Sequence, residues 1–445
     1  MKLLERSNFT ILAIVALALA LRLVIVLQFK ERDYPVVKAN VQPEPEVVYL
    51  KRGEMELGDS QQYWLLAKNL RERGRFSWNT EPVAFRTPGY PVFLALLGNN
   101  LTLTVVVQAV LSSLTVALLV LLGRKLFSGW VGLVAGLCLT FDISSILYSG
   151  VIMSETLFLP CLVAATYLFF VRREWASGFL LGAAVLIRPI AVGAFLPFAV
   201  MLIIRKSWRR LALFLTLVAL LPGLWMSRNF LIFKRFGLTS VSGSNLLYCN
   251  AGSLVAAQRR VSPAEARLAL AREFGSKIAS TNPLEISAVM TRKAVQIIAH
   301  DPGRYLFVTV GALAKVIAGV KVDDLVLRLI GSDKRLAVLS EVMSGKTNNF
   351  PWIITIILVL WELIVVFATL VLSLLGIILR PGRGTRLLLL AVGWYLLFAA
   401  TPLTDARFRL PAMPFFYLCA ASSLRPGLDR WRSRNILCQK PVLTL

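Results

Sequence analysis

Long apolar runs recur along the chain, and they constrain its fold more than any other feature of the sequence. A run of about 17–25 apolar residues is long enough to cross the hydrocarbon core of a bilayer as a helix. Ten runs, several of them short, occur at 9–28, 102–122, 130–148, 155–171, 177–187, 190–204, 210–226, 351–379, 387–402 and 411–424. The pattern predicts an all-α polytopic membrane protein with about ten membrane-spanning helices.

One further apolar run, at 305–320, has two interpretations. As an eleventh span it would reverse the orientation of all later spans and move the basic cluster at 380–386 out of the cytoplasm. We favour an amphipathic helix that lies at the membrane interface. The first run, at 9–28, has a cleaved signal peptide as its alternative. Since no clear small-residue cleavage site follows it, we interpret it as an uncleaved first span.

Basic residues cluster between alternate runs, with few acidic partners. The clusters lie at 124–125, 172–173, 205–210 and 380–386, and the segment after 424 adds Arg425, Arg430, Arg432 and Arg434. This is the positive-inside pattern, and it predicts that both termini are cytoplasmic. Much of the net charge of +25 therefore reflects topology, and no nucleic-acid partner is predicted.

The topology divides the chain into three parts. Residues 1–227 form a membrane module that includes a first outer loop at 29–90. Residues 228–350 form a second outer loop with helices, and 351–445 hold the last spans and a basic cytoplasmic tail. The second loop is itself basic, which favours an anionic ligand or lipid headgroup on the outer face. A surface that merely tolerates lysine and arginine is the alternative.

Two carboxylates at the predicted outer face are candidates for chemistry. Asp59 begins an amphipathic helix that Gly74 ends. Its simplest interpretation is an N-cap, with Gln62 completing a capping box, and this is compatible with a carboxylate held at the membrane surface. Glu155 opens the fourth span, where the helix dipole favours an acid. An ionisable group at the mouth of a span is also a candidate site residue.

Arginines gather at the same predicted face. Each is individually typical of an interfacial anchor, but their coincidence indicates an anion site. They lie before the second span, at a proline break, after the seventh span and before the last span: Arg86, Arg188, Arg228, Arg407 and Arg409. Two charged residues lie inside spans. Arg22 is predicted to extend outward to the interface, and Glu362 has no assigned role.

Several chemistries find little support in the sequence. Walker-type and dinucleotide-binding loops are absent. The single histidine, His300, ends a predicted helix, which argues against a Ser/His/Asp triad. The five cysteines lack metal-ligand spacing. We therefore expect no cofactor, with a divalent cation as the alternative.

Six segments, taken in order, resemble the GT-C superfamily of glycosyltransferases. They are GDSQQYWLLAKNL, FRTPGYPVFLALL, MSETLF, LIRP, the segment with Trp225, Arg228 and Asn229 taken together with SGSNLLYCNAG, and DARFRLPAMP. In particular they look like the glycosyltransferase family 39-like branch, the bacterial protein mannosyltransferase and aminoarabinose transferase group. The resemblance implies a GT-C-type helical bundle with helices in both outer loops. It also implies transfer of a sugar from a polyprenyl-phosphate carrier to a lipid or protein acceptor outside the cytoplasm.

The resemblance also assigns roles to residues. Asp59 matches the catalytic base and Glu155 the second carboxylate of the site. The donor phosphate would be bound by Arg86, Arg228, Arg188 and Arg407, and the substrate pocket would include Tyr63, Tyr90 and Arg409. Asp59 departs from the metal-binding acidic pair of related oligosaccharyltransferases, because it has no adjacent acid. We therefore expect no tightly bound metal.

These residues predict a single displacement with inversion at the anomeric carbon, in which Asp59 deprotonates the acceptor and the arginines stabilise the leaving phosphate. The compact loops favour a bacterial inner membrane, with the active site extracytoplasmic. A transporter or flippase of an anionic lipid or sugar-lipid is the main alternative. An assembly protein without catalysis is a second alternative.

Overall fold

The computed structural model describes residues 2–28, 58–78, 81–275, 280–321, 351–379 and 383–424. Within these ranges the regular structure is helical, apart from one isolated bridge between Ser77 and Pro82. The prediction of an all-α protein is confirmed. Most of the first outer loop before Gly58, the segment 322–350 and the basic tail after Leu424 lie outside the described residues.

The helices of the first half begin with α1 (Lys2–Gln28), and two helices of the first outer loop follow. In order they are α2 (Asp59–Arg73), α3 (Gly89–Leu96), α4 (Leu101–Leu126), α5 (Gly129–Thr140), α6 (Ile143–Ser149), α7 (Glu155–Phe170), α8 (Glu174–Ile187), α9 (Leu196–Ile204) and α10 (Trp208–Phe233). A 3₁₀ turn at Pro189–Gly193 joins α8 to α9. This turn confirms the predicted break at Pro189, since proline has no N–H to continue a helix.

The second half contains the second outer loop and the last spans. Its helices are α11 (Val241–Ser244), α12 (Gly252–Arg259), α13 (Pro263–Gly275), α14 (Pro283–His300), α15 (Pro302–Ala318), α16 (Pro351–Leu379), α17 (Arg383–Ala400) and α18 (Met413–Ser423). A π-helical segment, Asn245–Ala251, joins α11 to α12, and a 3₁₀ turn, Ala406–Arg409, precedes α18.

Among the described helices, five are long and apolar enough to cross a membrane, and α5 with α6 forms a sixth span bent by 58°. Three shorter apolar helical segments accompany them: Glu155–Phe170, Glu174–Ile187 and Pro189–Ile204. Together with α18, these helices cover the ten predicted apolar runs. The chain is therefore a multi-pass membrane protein.

The apolar run at 305–320 forms the amphipathic helix α15. Its buried residues include Leu313 and Val316, whereas Leu306, Phe307 and Val310 are exposed. This division between a packed face and an exposed apolar face is what an interfacial helix requires. The helix does not meet the length and hydropathy criteria of the candidate spans.

Arg22 is fully buried in the bundle, so the prediction that it extends outward is wrong. Its guanidinium donates to Ser112 Oγ at 2.6 Å, Ser145 Oγ at 2.8 Å and the Leu139 carbonyl at 3.2 Å. Leu139 lies in the last turn of α5, where carbonyls lack intrahelical partners. The bend between α5 and α6 thus supplies the acceptors that hold this cation inside.

The first outer loop is fastened to the second. Ser240 N donates to the Ala84 carbonyl at 2.8 Å, and the Thr239 hydroxyl donates to the Phe85 carbonyl. These bonds fix the turn that carries Arg86. On its other side the turn enters α3 at Gly89, which packs directly on the end of α8.

Gly89 leaves no room for a side chain. A Cβ there would lie 2.7 Å from the Leu186 carbonyl oxygen and 2.8 Å from Ile187 N, which are backbone atoms that cannot rotate away. Gly89→Ala should separate α3 from α8 and lower the free energy of unfolding by about 1–3 kcal/mol. Thermal unfolding of the detergent-solubilised chain checks this. Gly223→Ala, at a helical glycine with nothing within 4 Å, is the control, and equal melting temperatures would reject the close contact.

Candidate functional site

A cavity of about 750 Å³ lies where the two outer loops meet the ends of α8 and α17. One wall carries charged residues from the first loop and the membrane helices, namely Asp59, Arg86, Arg188 and Arg407. The second outer loop contributes another wall, with most residues between Val241 and Asn250 and with Arg267 and Met290. The cavity therefore brings together parts of the chain that are distant in sequence.

Asp59 is the first residue of α2 rather than its N-cap. The cap position is Gly58, and no side chain caps this helix, so the predicted capping box of Asp59 and Gln62 is wrong. Both side chains bind arginine instead. Gln62 Oε1 accepts from Arg86 Nε at 2.8 Å and from Nη2 at 2.6 Å. Gly74 ends the helix in the left-handed conformation, as predicted.

The Asp59 carboxylate bridges two arginines. Its Oδ1 accepts from Arg86 Nη2, and its Oδ2 accepts from Arg407 Nη2 at 2.9 Å. Burial by itself would raise the pKa of this carboxyl, but the charges of Arg86 and Arg407 outweigh burial and lower the pKa below its ordinary value. Asp59 is therefore ionised at neutral pH and is a weak proton acceptor while both arginines remain bound to it.

Aromatic rings hold Arg86 in place. Its guanidinium carbon lies 5.0 Å from the centre of the Tyr63 ring and 5.2 Å from that of Phe85, which favours a fixed cation. Tyr63 lines the cavity. Tyr90 is fully buried behind it, edge-on to Tyr63 at 5.0 Å, and its hydroxyl donates to Gln108. Tyr90 thus supports the pocket but does not line it.

Glu155 and Arg188 form a second ion pair beside the first. Arg188 Nη1 lies 2.5 Å from Glu155 Oε1, and it also donates to Ser154 Oγ at 3.1 Å. Glu155 occupies the first position of α7, as predicted, and it is buried. Of the two residues in this pair, Arg188 is the one that lines the cavity. The Tyr63 hydroxyl lies 3.4 Å from Ser154 Oγ, so the two ion pairs belong to one polar network.

Arg409, predicted to line the substrate pocket, lies outside the cavity. Its guanidinium is buried, pairs with Glu362 and donates to the carbonyls of Val316 and Ile317 at 3.3 and 3.2 Å. This contact also accounts for Glu362, the acid inside α16. Since Arg407 and Arg409 share one 3₁₀ turn, the buried pair anchors the turn that aims Arg407 at Asp59.

Arg228, predicted to contact the donor phosphate, also lies outside the cavity. It donates to the Val83 carbonyl at 3.1 Å and to Asn229 Oδ1 at 2.8 Å. Its guanidinium also packs over the rings of Trp225 and Phe76 at 4.8 and 5.8 Å. In the structure Arg228 attaches the first outer loop to the end of α10.

Sequence reasoning missed the wall of the cavity that the second outer loop contributes. The segment SGSNLLYCNAG was noted as a motif, yet none of its residues was assigned to the site. In the structure Ser242, Ser244, Asn245, Tyr248 and Asn250 line the cavity. The motif and the basic character of its loop were the available signals. The π-helical turn decides which residues of this segment face the cavity. The hydrophobic periodicity of the sequence does not show that turn.

The fold and the site together define a helical multi-pass membrane protein with an acid–arginine pocket at one end of its bundle. Residues 90–232 match the family described as dolichyl-phosphate-mannose-protein mannosyltransferase. This match confirms the predicted resemblance to the protein mannosyltransferase group over residues 90–232, which are less than half of the chain. The crystal structure of ArnT from Cupriavidus metallidurans bound to undecaprenyl phosphate is similar at 16% identity, covering 92% of this chain and 76% of that chain, with a TM-score of 0.35. No curated protein matches the chain.

The ion pairs of Asp59 make its protonation depend on Arg86. Because the pKa is lower in the folded protein than in the unfolded chain, the pairs stabilise the protein above the ordinary carboxyl pKa, and this stabilisation is lost as the pH falls through the lowered pKa. Arg86→Gln should raise the pKa of Asp59 toward the ordinary value of a carboxyl group, because one of its two cationic partners is removed. Infrared difference spectra of a pH titration, with Asp59→Asn as the reference, measure this. Identical titrations in Arg86→Gln and wild type would show that Arg86 does not control the carboxylate.

The Glu362–Arg409 pair is buried, with 5% and 3% of the two side chains exposed. Glu362→Gln should lower the free energy of unfolding by about 3–5 kcal/mol, because it leaves Arg409 without its counter-ion. Adding Arg409→Gln should cost less than the sum of the single changes. Denaturant unfolding in micelles provides the values. Arg235→Gln, in a pair with Glu285 that is 49% and 40% exposed, should cost below about 1 kcal/mol. Additive costs for Glu362 and Arg409 would contradict the coupling.

Proposed function

We propose that the protein is a membrane glycosyltransferase that moves a sugar from a polyprenyl-phosphate carrier to an acceptor hydroxyl on the extracytoplasmic face, with inversion. The observation that carries this proposal is the Asp59 carboxylate bridging Arg86 and Arg407 at the wall of the cavity. A proton acceptor and phosphate-binding groups must be neighbours in such a reaction.

The charge of the pocket fits the donor. Within the acid–arginine cluster, the guanidinium groups of Arg86, Arg188 and Arg407 face the carboxylates of Asp59 and Glu155, which leaves one formal positive charge. Arg267 adds a second positive charge to the cavity lining. A polyprenyl-phosphate sugar is a phosphodiester with one negative charge, and a second develops as the carrier phosphate leaves. Rings and ion pairs already hold these arginines together at the cavity wall, next to where that charge would develop.

The cavity also has an apolar side. Pro189, Ile190, Val192, Leu403 and Phe408 line it, and Val192 is 56% exposed at the surface of the bundle. This side is contributed by the broken segment between α8 and α9 and by the turn after α17. We expect a carrier chain lying in the bilayer to reach the arginines past these apolar residues.

The proposed reaction is a single displacement at the anomeric carbon. The acceptor oxygen attacks the anomeric carbon, and the bond from that carbon to the phosphate oxygen breaks with its electrons leaving on the phosphate. The acceptor proton goes to Asp59. As the phosphate draws Arg86 and Arg407 to itself, the carboxylate loses its counter-ions and becomes a stronger base. Both oxygens of Asp59 bind arginine in the structure, and we assign this carboxylate the role of proton acceptor.

Helix α4 supports the proposed orientation. This helix of 26 residues begins just after α3, close to the Arg86 turn, and ends with Arg124 and Lys125. At 1.5 Å per residue its ends are about 39 Å apart. Since basic ends of spans face the cytoplasm, the cavity belongs on the opposite side, and a bacterial inner membrane is the membrane we propose.

Asp59→Asn should abolish transfer but keep donor binding, because the amide cannot accept the acceptor proton. The loss should be at least about 100-fold in turnover, the range of general-base catalysis. The assay uses purified full-length protein with radiolabelled polyprenyl-phosphate mannose as the first donor and membrane extract as the acceptor source. Nuclear magnetic resonance of the product's anomeric proton reports inversion.

Two further variants distinguish the role of Asp59 in catalysis from the role of Arg86 in donor binding. Glu72→Gln removes an exposed acid from the same helix and should leave turnover unchanged. Arg86→Gln should raise the donor concentration needed for half-maximal rate, because a phosphate contact is lost. Wild-type turnover by Asp59→Asn, or retention of the anomeric configuration, would overturn the proposed mechanism.

A further inference from the structure

Two short turns lie at the end of the bundle opposite the cavity, because α7 begins and α8 ends beside the cavity. One turn joins α7 to α8, and the other joins α9 to α10. Glu174 is the single acid between residues 171 and 210. Six cations lie in these turns or directly after them, namely Arg172, Arg173, Arg205, Lys206, Arg209 and Arg210. The positive-inside pattern accounts for the sign of this charge, but not for its arrangement.

Close packing of the helices holds the two turns together. A Cβ on Gly178 of α8 would lie 2.5 Å from the carbonyl oxygen of Phe214 in α10, so the backbones of these helices approach each other directly. The rings of Phe169, Phe198 and Phe214 are fully buried, and Phe169 packs against both of the others. Helices α7, α9 and α10 are therefore joined by one aromatic cluster, and the turns at their ends keep a fixed spacing.

Three arginines from the two turns gather around one acid. Glu174, with 6% of its side chain exposed, pairs with Arg210 at 3.3 Å, so its charge already has a partner. The guanidinium carbon of Arg205 lies 5.6 Å from the centre of the Phe169 ring, a cation–π contact. Burial and the neighbouring charge of Arg172 lower the pKa of Arg205. Among the described residues, no carboxylate forms an ion pair with Arg172 or Arg205.

Tryptophans place this cluster of Arg172, Arg205, Arg210 and Glu174 at headgroup depth. Trp175 and Trp208 lie in the first turns of α8 and α10, and they are 56% and 61% exposed. Exposed tryptophans at the ends of spans are typical of the membrane–water interface, where the phosphates of phospholipids lie. The residue just before Arg205 is an exposed isoleucine of α9, which faces the acyl chains. A ligand that fits here is anionic at its head and apolar below it.

We propose that this cluster is a binding site for an anionic phospholipid whose phosphodiester is shared by Arg172 and Arg205. Guanidinium groups bind phosphate oxygens through paired N–H donors, and basic pockets between membrane helices bind anionic headgroups. The lipid supplies the negative charge that these two arginines lack, and it bridges the two turns. The site lies at the other end of the bundle from the cavity, so it does not depend on the transfer reaction proposed above.

The test is native mass spectrometry of the full-length protein in detergent micelles, titrated with phosphatidylglycerol or with phosphatidylcholine of the same acyl chains. Wild type should bind the first phosphatidylglycerol about tenfold more tightly than phosphatidylcholine, a factor that corresponds to about 1.4 kcal/mol. Arg172→Gln together with Arg205→Gln should remove this preference and leave phosphatidylcholine binding unchanged. Lys125→Gln together with Arg383→Gln removes two exposed cations from other turns at the same end of the bundle, and this control should keep the preference.

Three results would overturn the proposal. A preference that survives the double change at Arg172 and Arg205 would show that these arginines do not bind the lipid. An equal loss in the control variant would show that phosphatidylglycerol responds only to the overall charge of this end. Undecaprenyl phosphate, which has the same phosphate chemistry, is added as a competitor. If it displaced the phosphatidylglycerol that depends on Arg172 and Arg205, the cluster would belong to a polyprenyl carrier rather than to a phospholipid.

Discussion

The Asp59 carboxylate between Arg86 and Arg407 is the interaction on which the site depends. It joins the first outer loop to the turn before the last helix, which are separated by most of the chain. Two cations beside one acid lower its basicity but create a place where an arriving phosphate competes for the same guanidinium groups. Under the proposed function, a single cluster would therefore bind the leaving group and gain a base in one event.

Other buried ion pairs hold the residues of this cluster in position. Glu362 binds Arg409 and fixes the turn that holds Arg407, while Arg188 binds Glu155 beside the broken helix. Arg22, inside the bundle, donates to a carbonyl freed at the bend after α5. In a medium without water, charges retain positions only where acceptors surround them. The membrane helices thus supply the rigidity that the outer site needs.

Much of the architecture could be predicted from the sequence. The apolar runs, the break at Pro189, the helix end at Gly74 and Glu155 at the start of a span follow from local rules of hydropathy and helix termination. The prediction for Arg22 failed because a local rule for snorkelling ignores carbonyls freed by a bend elsewhere. The capping box of Asp59 failed because a stronger partner, Arg86, takes its carboxylate.

The sequence by itself determined that this chain is an all-α membrane protein. It also identified the acids and arginines that lie at the ends of its helices. Only the tertiary structure decided which of them meet. Arg407 reaches Asp59, whereas Arg409, two residues later, turns into the bundle toward Glu362, and Arg228 packs on aromatic rings. The physical reason is that hydropathy acts residue by residue along the chain. The choice of ionic partner depends instead on distances between residues that are far apart in sequence. Only the packing of the helices sets those distances.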